Sequence, residues 1–365
     1  MKSIIEIMKE LPNGYEEACF TEKAIIRKRG ISNPSDLMLL SLLHLVNGCT
    51  LIEISEIARI SKLGTFSDVA FMKRFENCGS WFKWILAHID ITEIRNYEKP
   101  EWLNNYEVLA LDASDVSEKG RSGRIYRLHY ALNLFNMQSA SYRITEQKTG
   151  ESLCNFVFNE NDLIVGDRIY STFKGINHCL SSKANFVLRL RKNSFNAYDV
   201  FNEKLDILEK LKVLEDNEVL DLPIYVRLAE GKDYTQLRIC AVRKHERYLE
   251  QTKKKIRRKE SRKQINISDE TKEFNNYIVV VTALPNEISG KDILDLYRLR
   301  WQVEIYFKRL KSIMDFGELP KRRPASAESW LNGKLIIALL IEKLMNKQFF
   351  FPNEEESEPQ HLARE

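Results

Sequence analysis

Paired cysteines are missing from this chain. Its six cysteines, Cys19, Cys49, Cys78, Cys154, Cys179 and Cys240, are scattered, with no CxxC and no histidine at ligand spacing. That excludes a zinc site or a disulfide framework and suits reduced, mostly buried thiols. No apolar run is long enough for a membrane: LMLLSLLHLV (37–46) and LIIALLI (335–341) fall well short of the roughly 20 residues a span requires. Glu6 and Glu10 interrupt MKSIIEIMKE, where a signal peptide needs unbroken apolar residues. A soluble cytoplasmic protein with no membrane partner is expected. A large charge excess is absent too: the formal net charge is +4 over 365 residues. Overall charge therefore does not announce a polyanion, and what matters is where the charge is concentrated.

What is present is ample material for two or three domains, with 44% hydrophobic residues. Residues 1–95 read as helical. Asn33-Pro34-Ser35-Asp36 starts a helix over LMLLSLLHLV, and Gly48 stops it. Two short helices around Gly64 resemble a helix-turn-helix, whose second helix would offer Lys73 and Arg74 to DNA; an ordinary helical bundle fits the pattern equally well.

The periodicity changes near residue 106. YEVLALDAS is an apolar run ending in Asp112, as a buried strand does on reaching a sheet edge. RIYRLHYALNLFN and SASYRITEQ follow as strands. DLIVGDRIYSTFKGINHCL then gives a strand over 163–165, Asp167, and a helix-like segment from Ser171; FVLRLRK is another strand. Over 195–285, LPIYVRLAEG, YTQLRICAVRK and NNYIVVVTALP alternate like antiparallel strands, with Gly231-Lys232-Asp233 as a turn. Among them lies VRKHERYLEQTKKKIRRKESRK, with eleven Lys or Arg against three Glu. It reads as a solvated loop or as a β-hairpin that grips phosphates. An apolar helix over 331–345 and a disordered tail over 351–365 complete the chain.

The segment LYRLRWQVEIYFKRLKS (296–312), capped by Ser289, reads as one helix. Leu296, Leu299, Val303, Phe307, Leu310 and Met314 form an apolar stripe; Tyr297, Arg300, Glu304, Lys308 and Lys311 form a second stripe beside it. Four-residue pairs of this kind lace many solvated helices. Asp112, Asp167 and Glu304 nevertheless stand out by their settings, with Asp115 and Asp162 as near competitors. Carboxylates at the exits of neighbouring buried strands are costly unless a cation neutralises them. An oxygen-only donor set suits Mg²⁺, and two such ions serve in-line phosphodiester chemistry. Periodicity alone does not bring the three acids together.

The spacing Tyr297-(2)-Arg300-(3)-Glu304-(6)-Lys311 resembles the Y-(2)-R-(3)-E-(6)-K signature of bacterial insertion-sequence transposases of the DDE class. VLALDAS resembles the segment carrying that family's first aspartate. TGESLCNFVFNENDLIVGDRIYS, with Asp167-Arg168 and Tyr170, resembles the second, and VTALP before the helix is also typical. The resemblance covers roughly residues 106–315. It implies an α/β fold: a ribonuclease H-like mixed sheet flanked by helices, with a helical N-terminal domain (1–95) and an antiparallel β-rich insertion (195–285) between core segments 96–194 and 286–350. The 136 residues between Asp167 and Glu304 leave room for that insertion.

The resemblance further implies cut-and-paste transposition dependent on two Mg²⁺ (or Mn²⁺) ions held by Asp112, Asp167 and Glu304. Tyr297, Arg300, Lys308 and Lys311 would contact phosphates. The partners would be the terminal inverted repeats, target DNA and a second copy of the chain in a synaptic complex at the bacterial nucleoid. Two other readings stay open: a DNA-binding relative without catalysis, and a metal-dependent nuclease that cuts without joining.

Overall fold

The computed structural model describes residues 2–89, 98–118, 125–136, 139–192, 194, 196–227, 234–305, 308, 318–320 and 323–348. Gly231-Lys232-Asp233, Phe307, Leu310, Lys311, Met314 and the tail at 351–365 lie outside the described residues.

Six helices open the chain: α1 (Lys2–Met8), α2 (Tyr15–Thr21), α3 (Pro34–Val46), α4 (Leu51–Ile60), α5 (Asp68–Glu76) and α6 (Cys78–His88). α3 begins as the sequence suggests: Asn33 accepts from Ser35 N–H and Pro34 fills the first position, where the missing N–H costs nothing. α4 and α5 flank Gly64, whose missing side chain admits the Gly30 carbonyl oxygen. The expectation for Arg74 is corrected here. Its guanidinium donates to the carbonyls of Ile31, Arg27 and Arg29 at 2.7–3.1 Å, so it braces the 27–31 loop instead of facing DNA.

A mixed sheet follows: β1 (Glu107–Glu118), β2 (Ile125–Asn133), β3 (Ser139–Glu146), β4 (Asp162–Gly166), α7 (Phe173–Ser181) and β5 (Asn185–Arg189). Next come α8 (Ile207–Lys212), β6 (Val219–Arg227), β7 (Tyr234–Arg243), α9 (Glu246–Lys263), α10 (Asp269–Phe274), β8 (Tyr277–Thr282), α11 (Gly290–Arg298), β9 (Glu318–Leu319) and α12 (Pro324–Gln348). The strand order is β3-β2-β1-β4-β5-β8-β7-β6, with β9 added to β1. β1, β4 and β5 run parallel; β8 is antiparallel to β5 and β7 to β8, so β7 points the same way as β5. This α/β arrangement is compatible with a ribonuclease H-like fold. The strands of 219–282 extend the same sheet. No helix among the described residues is long and apolar enough to cross a membrane.

Each face of the sheet buries its own core. Val108, Ala110, Val165, Val187, Val280 and Cys240 pack with the N-terminal helices, α11 and α12. Leu109, Leu111, Ile164, Phe186 and Leu188 pack on the other side with α7, α8 and α10, as the two-residue period of a strand requires. α12 lies among α3, α5 and α6, and Gly333 meets Leu45 and Phe82 there. Alanine in a helix interior is ordinarily favoured over glycine by about 1 kcal/mol, but overpacking costs about 1–3 kcal/mol. Gly333→Ala is therefore expected to lower stability by about 1 kcal/mol, read as a lower denaturant midpoint; a raised midpoint would show slack at this contact.

Two further expectations are corrected. The basic run is neither loop nor hairpin: over 246–263 it is the helix α9, which buries no residue. Lys, Arg, Gln and Glu are good helix formers, and His245 and a left-handed Gln264 cap its ends. The helix expected to run unbroken from Leu296 is also interrupted. α11 stops at Arg298, the chain tightens through three-residue bonds (Leu299 N–H to Leu296 O, 3.0 Å; Arg300 N–H to Tyr297 O, 3.1 Å), and helix resumes over 301–305.

Candidate active site

Parallel register brings the first two acids together. Ala110 pairs with Val165, and Val165 with Val187. Two residues beyond these partners stand Asp112 within β1, Asp167 one residue past the end of β4, and Arg189 at the end of β5. Adjacent strands lie about 4.8 Å apart, so this polar row directly succeeds the buried apolar row of Ala110, Val165 and Val187. It faces the layer that contains α11.

Burial pushes the Asp112 carboxyl up to about 7; Glu304 and Glu151 add to the rise, while the Ala113 N–H and Arg300 oppose it. Glu304 and Arg300 of the 296–305 segment therefore lie within charge reach of Asp112. Arg300 is buried and donates to Glu304 Oε1 at 2.6 Å, with its guanidinium carbon 5.9 Å from the Tyr297 ring centroid. Asp112 Oδ1 accepts from the Ala113 N–H at 2.8 Å and Asp167 Oδ1 from the Ile169 N–H at 2.6 Å. Each of the three acids thus has one oxygen held by the protein. The carboxylates are gathered at one edge without closing on a point: among the described residues no group of three acid, His or Cys side chains forms a ready metal cage.

Both competitor acids are engaged elsewhere. Asp115 faces Arg127 across the β1–β2 pair and accepts from it at 2.7 and 3.3 Å. Asp162 lies at the opposite end of β4 from Asp167 and takes the Asn159 N–H at 2.7 Å. Of the expected phosphate contacts, Tyr297 is buried with its hydroxyl unpaired among the described residues. Arg300 is turned inward on Glu304, Lys308 is exposed, and Lys311 lies outside the described residues.

Sequence reasoning missed two groups. Glu151 precedes a short turn and carries no periodic signal; burial raises its pKa against Arg127, and Asp167 and Asp115 add to the rise. The Tyr170 hydroxyl is buried without a partner among the described residues. Burial, then Asp112, Glu151 and Asp167, hold it well above its ordinary value, so it stays a proton donor beside the acids. The Asp-Arg-x-Tyr run was its only signal.

Residues 87–340 match the family model described as the transposase DDE domain. The chain is 25% identical, over 93% of both chains, to the Escherichia coli K12 protein named "Putative transposase InsL for insertion sequence element IS186A". It is 24% identical, again over 93% of both, to the E. coli transposase for insertion sequence element IS421. It is 26% identical, over 55% of this chain and 45% of the relative, to the transposase for IS231E from Bacillus thuringiensis subsp. finitimus. A family model covering the whole sheet, together with relatives matched over 93% of both chains, places this chain among the insertion-sequence transposases of the DDE domain family.

Proposed function

We propose that this transposase binds the terminal inverted repeats of its element and catalyses metal-dependent strand cleavage and transfer to target DNA. Asp112, Asp167 and Glu304 are the metal-binding carboxylates, and Tyr297, Arg300, Lys308 and Lys311 serve as the Y-(2)-R-(3)-E-(6)-K set that holds phosphates. The observation carrying this reading is that Asp112 and Asp167 each stand two residues beyond the paired Ala110 and Val165, with Glu304 in charge reach of Asp112.

The donor set fits a hard divalent cation: it is all oxygen, and Asp112 is half-buried at a cost that a neighbouring positive charge relieves. Two Mg²⁺ or Mn²⁺ ions bound there would supply an activated water or 3′-hydroxyl and stabilise the leaving oxygen. The protein's own contribution is positional. Arg300 fixes the rotamer of Glu304, and Tyr170 offers a proton donor at the rim of the acid row. Two copies would be needed to hold two element ends, hence a homodimer in the synaptic complex.

Incubating the protein with Mg²⁺ and DNA bearing the element's ends tests this reading. Cleavage followed by joining is the expected result. Cleavage alone would make it a nuclease, and binding alone a non-catalytic relative.

A second test uses linkage. Asp112 has its folded pKa raised to about 7, so its contribution to stability is full below the ordinary carboxylate range and is lost as pH rises through about 7. Without metal, the wild-type chain should lose up to about 4 kcal/mol between about pH 4 and pH 8 on this account. Asp112→Asn should flatten that loss and remove the thermal upshift caused by Mg²⁺ at pH 8. An undiminished upshift in the variant would take Asp112 out of the metal site.

A further inference from the structure

The acid row does not end in apolar residues; it continues into cations. Arg189 closes β5, two residues past Val187 as Asp167 is two past its partner Val165, and Arg168 directly follows Asp167. Lys244 directly follows β7, whose C-terminal end points the same way. Arg168, Arg189 and Lys244 lie in one another's fields, and Arg191 and Lys255 of α9 add further positive charge.

Their partners are few. Arg168 donates to Asn275 Oδ1 at 2.7 Å and Lys244 to Thr252 Oγ1 at 3.1 Å. The Nε atoms of Arg168 and Arg189 are buried with no acceptor among the described residues, as is the Tyr297 hydroxyl beside Arg168. Among the described residues, the carboxylate that bears on Arg168 is Asp167. The nearby Lys192 is already paired with Glu270, and Arg243 with Asp216. Like charges half-buried together without counter-ions destabilise a fold, and buried donors left empty add to that cost. Such a cluster makes sense if an anion completes it.

We propose that Arg168, Arg189 and Lys244 form a phosphate-binding site that seats the DNA backbone beside the carboxylate row, with α9 continuing the positive track outward. This rests on the proposed function in taking DNA as the source of the phosphate; the chemistry itself asks only for phosphate oxygens. Burial, then Arg189, Arg168 and Lys255, hold the Lys244 ammonium down at about 7, as expected of a cation waiting for its counter-charge. The α9 helix displays nine Lys or Arg and buries none of them, so the track leads from the pocket into solvent.

The test is binding of a fluorescent duplex carrying an element end, in EDTA, across about 50 to 200 mM salt. Each neutralised phosphate contributes about 0.9 to the slope of log affinity against log salt. Arg189→Met and Lys244→Met should each reduce the slope by about 0.9 and weaken binding about eightfold near 0.1 M salt. Lys212→Met, exposed on α8, should change neither. Lys244→Met should melt at or above the wild-type temperature, since it removes like-charge pressure. Arg189→Lys should keep the slope, which separates lost charge from lost folding.

Unchanged slopes in cooperatively melting variants would overturn the site. So would a slope lost together with a lower melting temperature in Lys244→Met, which marks a structural lysine. A thermal upshift by inorganic phosphate that both Met variants lose, with DNA slopes unchanged, would overturn DNA as the source. The same preparations are assayed for cleavage. Altered slopes without cutting in the wild type sink the catalytic reading alone, and cutting with unaltered slopes sinks this site alone.

Discussion

Glu304→Gln is expected to abolish strand cleavage, by at least about 10³-fold, while binding of element-end DNA stays within about threefold of wild type. A thousandfold corresponds to about 4 kcal/mol of transition-state stabilisation, the scale expected when one carboxylate of a two-ion site is lost. The substitution keeps side-chain volume and an oxygen to accept from Arg300, now 2.6 Å from Glu304 Oε1, so the fold has no reason to move. Asp112→Asn and Asp167→Asn should match it. Glu151→Gln should not: Glu151 lies within charge reach of Asp167 and Asp115 but outside the register row, and about a tenfold loss is the most expected of it. Cleavage is read on a denaturing gel with Mg²⁺. Wild-type cutting by the Glu304→Gln protein would remove that residue from the site, and a thousandfold loss on Glu151→Gln would exchange the two.

Asp221→Ala should destabilise the chain by about 2 kcal/mol, the scale of charge-assisted hydrogen bonds to a buried guanidinium. Arg238 of β7 is buried and donates to both Asp221 oxygens, at 3.2 and 2.5 Å. It also donates to the carbonyls of Leu284, Pro285 and Ile288, in the connection that leads into α11. Arg238 is buried but Asp221 is exposed, so losing the carboxylate costs less than the about 3–5 kcal/mol of a fully buried pair, and the three carbonyls still accept. The contact also holds the entry to the segment bearing Tyr297, Arg300 and Glu304. The paired change Asp221→Leu with Arg238→Met should recover most of the stability yet slow cleavage about tenfold, because small displacements of catalytic groups are costly. Full activity in the double variant would make the clamp purely structural.

The strands that carry Asp112 and Asp167 were legible because strands buried on both faces read as continuous apolar runs, and an acid ending such a run is conspicuous. Their meeting was not legible. Register between strands 55 residues apart is set by packing across the sheet and leaves no local period. Glu151 was invisible for the same reason. The 246–263 segment shows no apolar period because it buries no residue, yet a run of Lys, Arg, Glu and Gln with cappable ends forms a helix on propensity alone. At 299–300 the three- and four-residue spacing runs on, and the segment has neither Gly nor Pro to mark the tightened turn.

The placement of α12 reaches into the history of each molecule. Trp330, Leu331, Leu335, Ile336 and Ile337 are buried in the core that the first six helices share, so residues 2–88 cannot close that core until α12 has been synthesised. A polypeptide halted before residue 324 would display a greasy cleft, a mark that chaperones and proteases recognise. Prematurely terminated copies should therefore be cleared rather than accumulate as defective competitors of the intact protein.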